Sequence, residues 1–193
     1  MAKIKLNAAS GGGSVSLQAP SSSSNDRVYS LPDSADISTL AGILMCDQWY
    51  LTAEKTDNTT ISANLSRNDR TGAASQIGAG MSQSSGIFTF PTTGKYLVIV
   101  TAIFGLNGSD NAEIQTLVTT NNSSYTMVAI AADGNNGSGS RIGGGTSFYF
   151  LDVTDTSQVK VKFDVNSLAS GSKVAADSSF IKTGFVFVRI GDT

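Results

Sequence analysis

Histidine is absent from this chain of 193 residues, and cysteine occurs once, as Cys46. Without histidine there is no imidazole base, no Ser-His-Asp triad and no histidine ligand for a metal. A single cysteine excludes an internal disulfide framework and a thiolate zinc cluster within one chain. Glutamate occurs only as Glu54 and Glu113, and no motif pairs either with an aspartate for two-carboxylate hydrolysis. We therefore expect a protein that is not an enzyme and needs no cofactor.

Excess charge of one sign and long apolar runs are also absent. Thirteen lysines and arginines face 15 acidic residues, for a net charge of −2, which argues against a nucleic-acid surface. The longest apolar run, residues 96–106, is too short to span a bilayer. Lys3 and Lys5 precede no long apolar segment, so we expect no signal peptide and no membrane insertion. We expect synthesis in the cytoplasm.

The residues that are abundant favour strands and loops. Serine, threonine, asparagine and glycine number 28, 19, 12 and 20, a composition poor in helix formers. Short apolar blocks separated by glycine and asparagine turns predict strands within residues 48–52, 59–65, 86–90, 95–104, 114–119, 125–131, 145–151, 158–165 and 178–190. Roughly eight to ten short strands at this spacing predict an all-β sandwich.

The first 45 residues differ from the rest. Low-complexity stretches at residues 11–14 and 21–25 surround two short strand-like runs and a possible helical turn at residues 37–44. Such a segment has no compact core of its own, so we predict an extended anchoring arm over residues 1–45 and a head over residues 46–193. The apolar residues expected to anchor the arm on another surface are Val15, Leu17, Val28, Tyr29 and Leu31.

Two predicted strands, residues 96–100 and 185–188, are apolar on both faces. In an antiparallel sandwich without helices, the outer face of such a strand needs a cover, and a second copy of the chain is the simplest one. The residues predicted to form this subunit interface are Tyr96, Val98, Val100, Phe185, Val186, Phe187 and Val188.

Three segments of the head resemble the complement-subcomponent-q globular head, a ten-stranded jelly roll of the tumour-necrosis-factor superfamily. Residues 86–96 match its G-x-F-x-x-x-x-x-G-x-Y signature, and residues 144–164 are similar to its glycine-led strand and the strand that follows. Residues 178–187 resemble its closing S-x-F-S-G-F motif, with two residues inserted before Gly184. The resemblance covers residues 49–192 and implies a homotrimer packed around a threefold axis.

Residues 13–20 and 28–32 of the arm are similar to a sequence motif found near the N-terminus of tailed-bacteriophage fibre and virion surface proteins. We therefore expect a structural virion protein, a capsid decoration (cement) or short head-fibre protein, whose arm docks on phage capsid or tail proteins. Its head would stabilise the shell or display a surface for host attachment. The alternative is a tail-fibre tip, an adhesin that recognises host glycan or outer-membrane protein.

Several residues have both a functional and a structural interpretation. Oxygen-rich loops at Asp110 and Asp133 are weak calcium candidates, although solvated turns use the same residues. Trp49 and Tyr50 can stack on a sugar ring, but core or interface packing is favoured for Trp49. For Cys46, a buried small residue is favoured over a reactive or interchain thiol.

Two further features are predicted to carry no site. Glycines 143–145 do not follow a strand and open a helix, so a phosphate loop is not expected. Arg27, Arg67, Arg70 and Arg141 are scattered along the chain and are predicted to be solvated charges.

Overall fold

The computed structural model describes residues 3–7, 14–18, 43–74 and 76–193, and every helix or strand among them is a β-strand. The chain divides into two units, residues 1–37 and 38–193. In the first unit, β1 (Lys3–Asn7) pairs antiparallel with β2 (Ser14–Gln18). The strand predicted at Val15 and Leu17 is therefore present as β2, whereas β1 was not predicted.

The other predictions for the arm fall mostly on residues that the structure does not describe. Val28, Tyr29 and Leu31 lie outside the described residues, as do all but the last two positions of the predicted helical turn. Ile43 and Leu44, which end that turn, are not helical.

The head, described over residues 43–74 and 76–193, is built from two antiparallel sheets. Its strands are β3 (Met45–Leu51), β4 (Leu65–Arg67), β5 (Gln76–Ile77), β6 (Ser82–Ser84), β7 (Ile87–Thr89), β8 (Gly94–Asn107), β9 (Asp110–Thr119), β10 (Thr126–Asn135), β11 (Ser140–Val153), β12 (Lys160–Asn166), β13 (Lys173–Val174) and β14 (Gly184–Gly191). The first sheet has the order β10-β9-β12-β7-β6, and the second the order β11-β8-β14-β3-β4, with β13 beside β8 and β5 beside β3. The two main paths contain ten strands, which confirms the predicted ten-stranded jelly-roll sandwich.

The core lies between the sheets and is centred on aromatic rings. Phe163 of β12 stacks on Phe185 of β14 with ring centroids 4.3 Å apart, and Phe88 of β7 meets the Trp49 ring edge-on at 5.4 Å. Trp49 is only 9% exposed, which confirms the packing interpretation of this residue over the sugar-stacking one. Rings of this size bury the most apolar area per residue, so they dominate the stability of the sandwich.

The spacing of the 86–96 motif has a physical cause in the turns at its two glycines. Gly86 has φ of +80°, and a Cβ there would lie 2.2 Å from the carbonyl oxygen of Ile61, so only glycine fits. Phe88 and Tyr96, at the other fixed positions, are fully buried. The Tyr96 hydroxyl donates to the carbonyl oxygen of Thr92 at 2.9 Å, which satisfies its only polar atom.

The three consecutive glycines lie inside β11 and allow close packing. A Cβ on Gly145 would lie 2.5 Å from the backbone nitrogen and 2.6 Å from the carbonyl oxygen of Ala132 in β10. The glycine run therefore lets the edge strands of the two sheets approach each other, a structural role for this motif.

Candidate functional site

Alternation along β8 and β14 divides the predicted interface residues between the two sides of the second sheet. Tyr96, Val98, Val100, Phe185 and Phe187 face the first sheet and are at most 1% exposed. They belong to the core of their own chain, so the prediction that they contact another subunit is wrong. For β8 the prediction named the inward side chains, and for β14 it named a whole run, although successive side chains of a strand point to opposite sides.

Val186 and Val188 face outward and are half-buried, as are Leu97 and Ile99 of the neighbouring β8. Directly paired residues of antiparallel strands share a face, and Val186 pairs with Ile99 while Val188 pairs with Leu97. These four side chains form a continuous aliphatic surface across the middle of the sheet.

Two phenylalanines of β11 extend this surface to the edge of the sheet. Phe148 pairs with Ile99, and Phe150 pairs with Leu97. Their side chains are 68% and 61% exposed. On the opposite side of β14, Cys46 of β3 pairs with Val188 and continues the row that contains Phe150 and Leu97. We call this surface the outward patch; it consists of Cys46, Leu97, Ile99, Phe148, Phe150, Val186 and Val188.

The outward patch is costly to leave in water. With about 200 Å² per phenylalanine side chain, the two rings alone expose roughly 260 Å². At about 25 cal/mol per Å², covering them is worth roughly 6 kcal/mol per chain. Contiguous apolar surface of this kind marks an interaction site or an aggregation hazard. Sequence reasoning missed both rings because Tyr149 and Leu151, the residues that alternate with them, are also apolar.

The same side of the sheet continues beyond Thr101 into a shallow pocket. Its volume is about 220 Å³, and its lining combines Ile103, Gly105 and Ala175 with the charged residues Glu54, Lys173 and Lys182. Ile142, at its rim, is 80% exposed. The outward side of β8 is therefore aliphatic at Leu97 and Ile99 and mixed in character around the pocket.

Cys46 lies within β3 on the outward side and is half-buried, so the prediction of a buried small residue holds only in part. Partial burial raises the pKa of the Cys46 thiol, and the negative charge of Asp47 raises it further. Both effects disfavour the thiolate, which is the reactive form. The thiol is thus neutral at physiological pH and has the character of a small apolar group.

Beneath the outward patch, on the inward side of β3, an ion pair between the buried Asp47 and the partly exposed Arg67 ties three segments together. Asp47 is fully buried and accepts hydrogen bonds from Arg67 Nε at 2.9 Å, Trp49 Nε1 at 2.9 Å and the backbone N–H of Met81 at 2.7 Å. Arg67 Nη2 donates to the carbonyl oxygen of Met81 at 2.5 Å. A buried carboxylate satisfied in this way fixes β3 against β4 and the segment just before β6.

The prediction that the arginines are solvated charges is wrong for Arg67 and Arg70, which are partly buried, whereas Arg141 is exposed. Besides the pair of Arg67 with Asp47, the Arg70 guanidinium lies over the Tyr50 ring at 4.3 Å, and Arg141 Nη1 pairs with Asp133 Oδ1 at 3.1 Å on the surface. Arg27 lies outside the described residues. The partner of each arginine is distant in sequence or lies on another strand, so no local sequence pattern predicts it.

Both calcium candidates are engaged by protein groups. The two carboxylate oxygens of Asp110 each accept from the backbone N–H of Ala169 at 3.1 Å, and Asp110 is 6% exposed. Asp133 uses Oδ1 for Arg141, which leaves Oδ2 without a partner among the described residues. Calcium takes six to eight oxygen ligands, and the described residues contain no group of three acidic or cysteine side chains placed to hold a metal. One unpaired oxygen is not a calcium site.

Among the described residues, there is no helix with the length and apolar character needed to cross a membrane.

Comparison with known proteins shows the fold. The structure of Eiger TNF from S. frugiperda has a TM-score of 0.57 and 13% identity to this chain, over 79% of this chain and 96% of that one. A crystal structure of murine APRIL at pH 5.0 has a TM-score of 0.57 and 10% identity, over 76% and 98% of the two chains. No protein-family model matches the sequence, and no curated protein matches it. At these identities the likeness concerns the fold alone, which is a TNF-like jelly roll.

Proposed function

We propose that the head forms a homotrimer through the outward patch. The observation that carries this proposal is the exposure of Phe148 and Phe150, at 68% and 61%, beside four half-buried aliphatic residues. Contiguous exposed apolar surface of this kind is typical of a protein interaction site. The TNF-like fold supports the proposal.

The arrangement of the outward patch favours a ring over a two-fold dimer. Phe148 and Phe150 are exposed on β11, at one end of the sheet order, whereas Leu97, Ile99 and Val186 are half-buried in its middle. In the proposed contact, the exposed rings of one copy lie on the half-buried aliphatic residues of the next, so each copy uses two different surfaces. Such head-to-tail contacts close into a ring when the rotation permits it.

We further propose that the trimer is a non-catalytic structural protein on the surface of a tailed-phage particle. The support is the similarity of residues 13–20 and 28–32 to phage virion proteins, together with the division of the chain into two units, residues 1–37 and 38–193. In this proposal the first unit anchors the chain to the particle, and the trimer decorates the shell or forms a stubby fibre.

The oligomeric state is tested by sedimentation equilibrium of the full chain at micromolar concentration. We expect a single species with three times the chain mass. Since Cys46 is the single cysteine of the chain and lies within the outward patch, its reaction with a maleimide provides a second readout. We expect slow labelling in the trimer and faster labelling on dilution below the assembly midpoint. A monomer that does not associate at micromolar concentration would refute the proposed trimer.

The thiol reaction also has a predicted pH dependence. Because the pKa of Cys46 is raised, a smaller fraction of its thiol is ionised near pH 8 than in a free cysteine. Labelling of the dissociated chain should therefore increase more steeply above pH 8 than labelling of a cysteine-containing peptide of the same sequence. This control separates coverage by a subunit from a change in ionisation.

The particle role is tested by cryo-electron microscopy of phage particles that carry the protein, compared with particles of a strain that lacks its gene. Density for a threefold-symmetric head on the shell is the expected result. Density at the end of a tail fibre would instead support the adhesin alternative. Deletion of residues 1–45 should leave the trimer intact and abolish attachment to the particle, whereas loss of the trimer would contradict the proposed roles of arm and head.

A further inference from the structure

The head contains two Asn-Gly dipeptides, Asn107–Gly108 and Asn136–Gly137, in environments that differ. Glycine has no Cβ to hinder its backbone nitrogen, so this nitrogen can attack the side-chain amide carbon of a preceding asparagine. The reaction requires the asparagine side chain and the glycine N–H to leave their other contacts. The structure therefore allows the two dipeptides to be ranked.

Asn107 is held at the junction of the two sheets. It ends β8, pairs with Ser140 of β11, and its backbone N–H donates to Ser172 Oγ at 2.9 Å. The next residue, Gly108, has φ of +70° and donates its N–H to the carbonyl oxygen of Gly139 at 3.3 Å. The Asn107 side chain also packs against Gly171, where a Cβ would lie 2.6 Å from Nδ2. Reaction here requires part of β8 to detach.

Asn136 lies outside the strands, in the exposed connection between β10 and β11. Within the described part of the head, its side chain forms no hydrogen bond to a protein group. The Gly137 N–H is held by one hydrogen bond, to Asn135 Oδ1 at 3.0 Å. The Asn135 side-chain nitrogen donates to the carbonyl oxygens of Gly108 at 2.8 Å and Gly139 at 2.7 Å, so this residue clamps the connection.

We propose that Asn136 is a site of spontaneous deamidation in the folded head, independent of the proposed function. The Gly137 nitrogen forms a bond to Asn136 Cγ, and the amide nitrogen leaves as ammonia with the proton of the Gly137 N–H. The resulting five-membered succinimide takes up one water at either carbonyl and opens to aspartate or isoaspartate. Each event adds one negative charge at the β10–β11 connection and changes the formal charge of the chain from −2 to −3.

The test is incubation of the full chain at pH 8 and 37 °C, with peptide mapping by mass spectrometry at intervals. We expect conversion of Asn136 to exceed that of Asn107 by at least an order of magnitude, since opening the end of a strand is rarer than opening an exposed loop. Gly137→Ala is the matched variant, because a Cβ there meets nothing closer than 3.4 Å and the fold is unaffected. It should slow conversion at residue 136 and leave residue 107 unchanged.

The clamp is tested with Asn135→Ala, which frees the Gly137 N–H and should accelerate conversion of Asn136. Equal rates at Asn107 and Asn136 in the folded chain would overturn the proposal, as would conversion of Asn136 only in a denatured sample. Slower conversion in Asn135→Ala would overturn the role assigned to the clamp.

Discussion

Replacement of Phe148 by serine is the most direct test of the proposed association. The side chain is 68% exposed in the single chain, so its loss removes little from the core and should leave the head folded. In the proposed trimer, each of the three subunit contacts covers the Phe148 ring of one subunit. With about 200 Å² for a phenylalanine side chain, roughly 140 Å² becomes buried at each contact.

The expected magnitude follows from that area. At about 25 cal/mol per Å², each contact loses about 3 kcal/mol, and three contacts per ring of subunits lose about 10 kcal/mol. This corresponds to about seven orders of magnitude in the association constant of the trimer, at 1.4 kcal/mol per order. Since the concentration of half-assembly varies as the inverse square root of that constant, it should rise by a factor of about 3,000.

Sedimentation equilibrium of Phe148→Ser over a concentration series measures this shift, and circular dichroism checks that the sheets persist. Phe180→Ser is the matched control: Phe180 is also an exposed phenylalanine, at 56%, but it lies in the loop before β14 and outside the outward patch. An assembly midpoint that moves less than tenfold in Phe148→Ser, or equally in both variants, would refute the assignment of the interface.

Three further substitutions test the packing of the head, each by urea unfolding of the full chain. Ser147 is buried, and its Oγ has no partner among the described residues, so Ser147→Ala should stabilise the head by up to about 1 kcal/mol; a destabilised variant would contradict this. Gly145→Ala places a methyl group against the backbone of β10 and should cost about 1–3 kcal/mol or more, whereas Gly139→Ala, with open space around it, should cost almost nothing. Arg67→Met leaves the carboxylate of Asp47 buried without its cation and should lower the free energy of unfolding by about 3–5 kcal/mol. The double variant, Arg67→Met with Asp47→Asn, should regain much of that stability because it removes the buried charge.

Most strands of the head could be predicted from the sequence because apolar blocks and glycine turns are local signals. The exceptions have local causes too. Residues 59–65 were predicted as a strand, but the chain turns at Asn64, which has φ of +58°, and the strand begins at Leu65. Before that turn, Thr60 forms only an isolated bridge with Asp164. β13 has two residues, too few for a periodic pattern.

The candidate interface was only partly predictable, because the sequence does not show which side of the sheet each residue of a strand faces. Apolar residues on both faces of β8 and β14 correctly indicated that the second sheet has two apolar sides, but the run alone does not say which residue faces which side. The packing of the paired strands decides the side: Phe187 and its partner Val98 face the core, whereas Val186 and its partner Ile99 face outward. The pair of Asp47 and Arg67 was unpredictable because it depends on the register between β3 and β4.

Folding and the proposed association draw on opposite sides of the same strands, and adjacent residues can therefore have separate energetic roles. Phe187 is fully buried in the core and contributes nothing to the surface. Its neighbours Val186 and Val188 point away from the core, and their exposed surface belongs to the outward patch. Since effects at residues without shared partners add, changes on the outward side can alter association without loss of the fold. A jelly roll built in this way can keep its aromatic core while its outer residues adapt to a new partner surface, which is why the fold alone does not identify the partner.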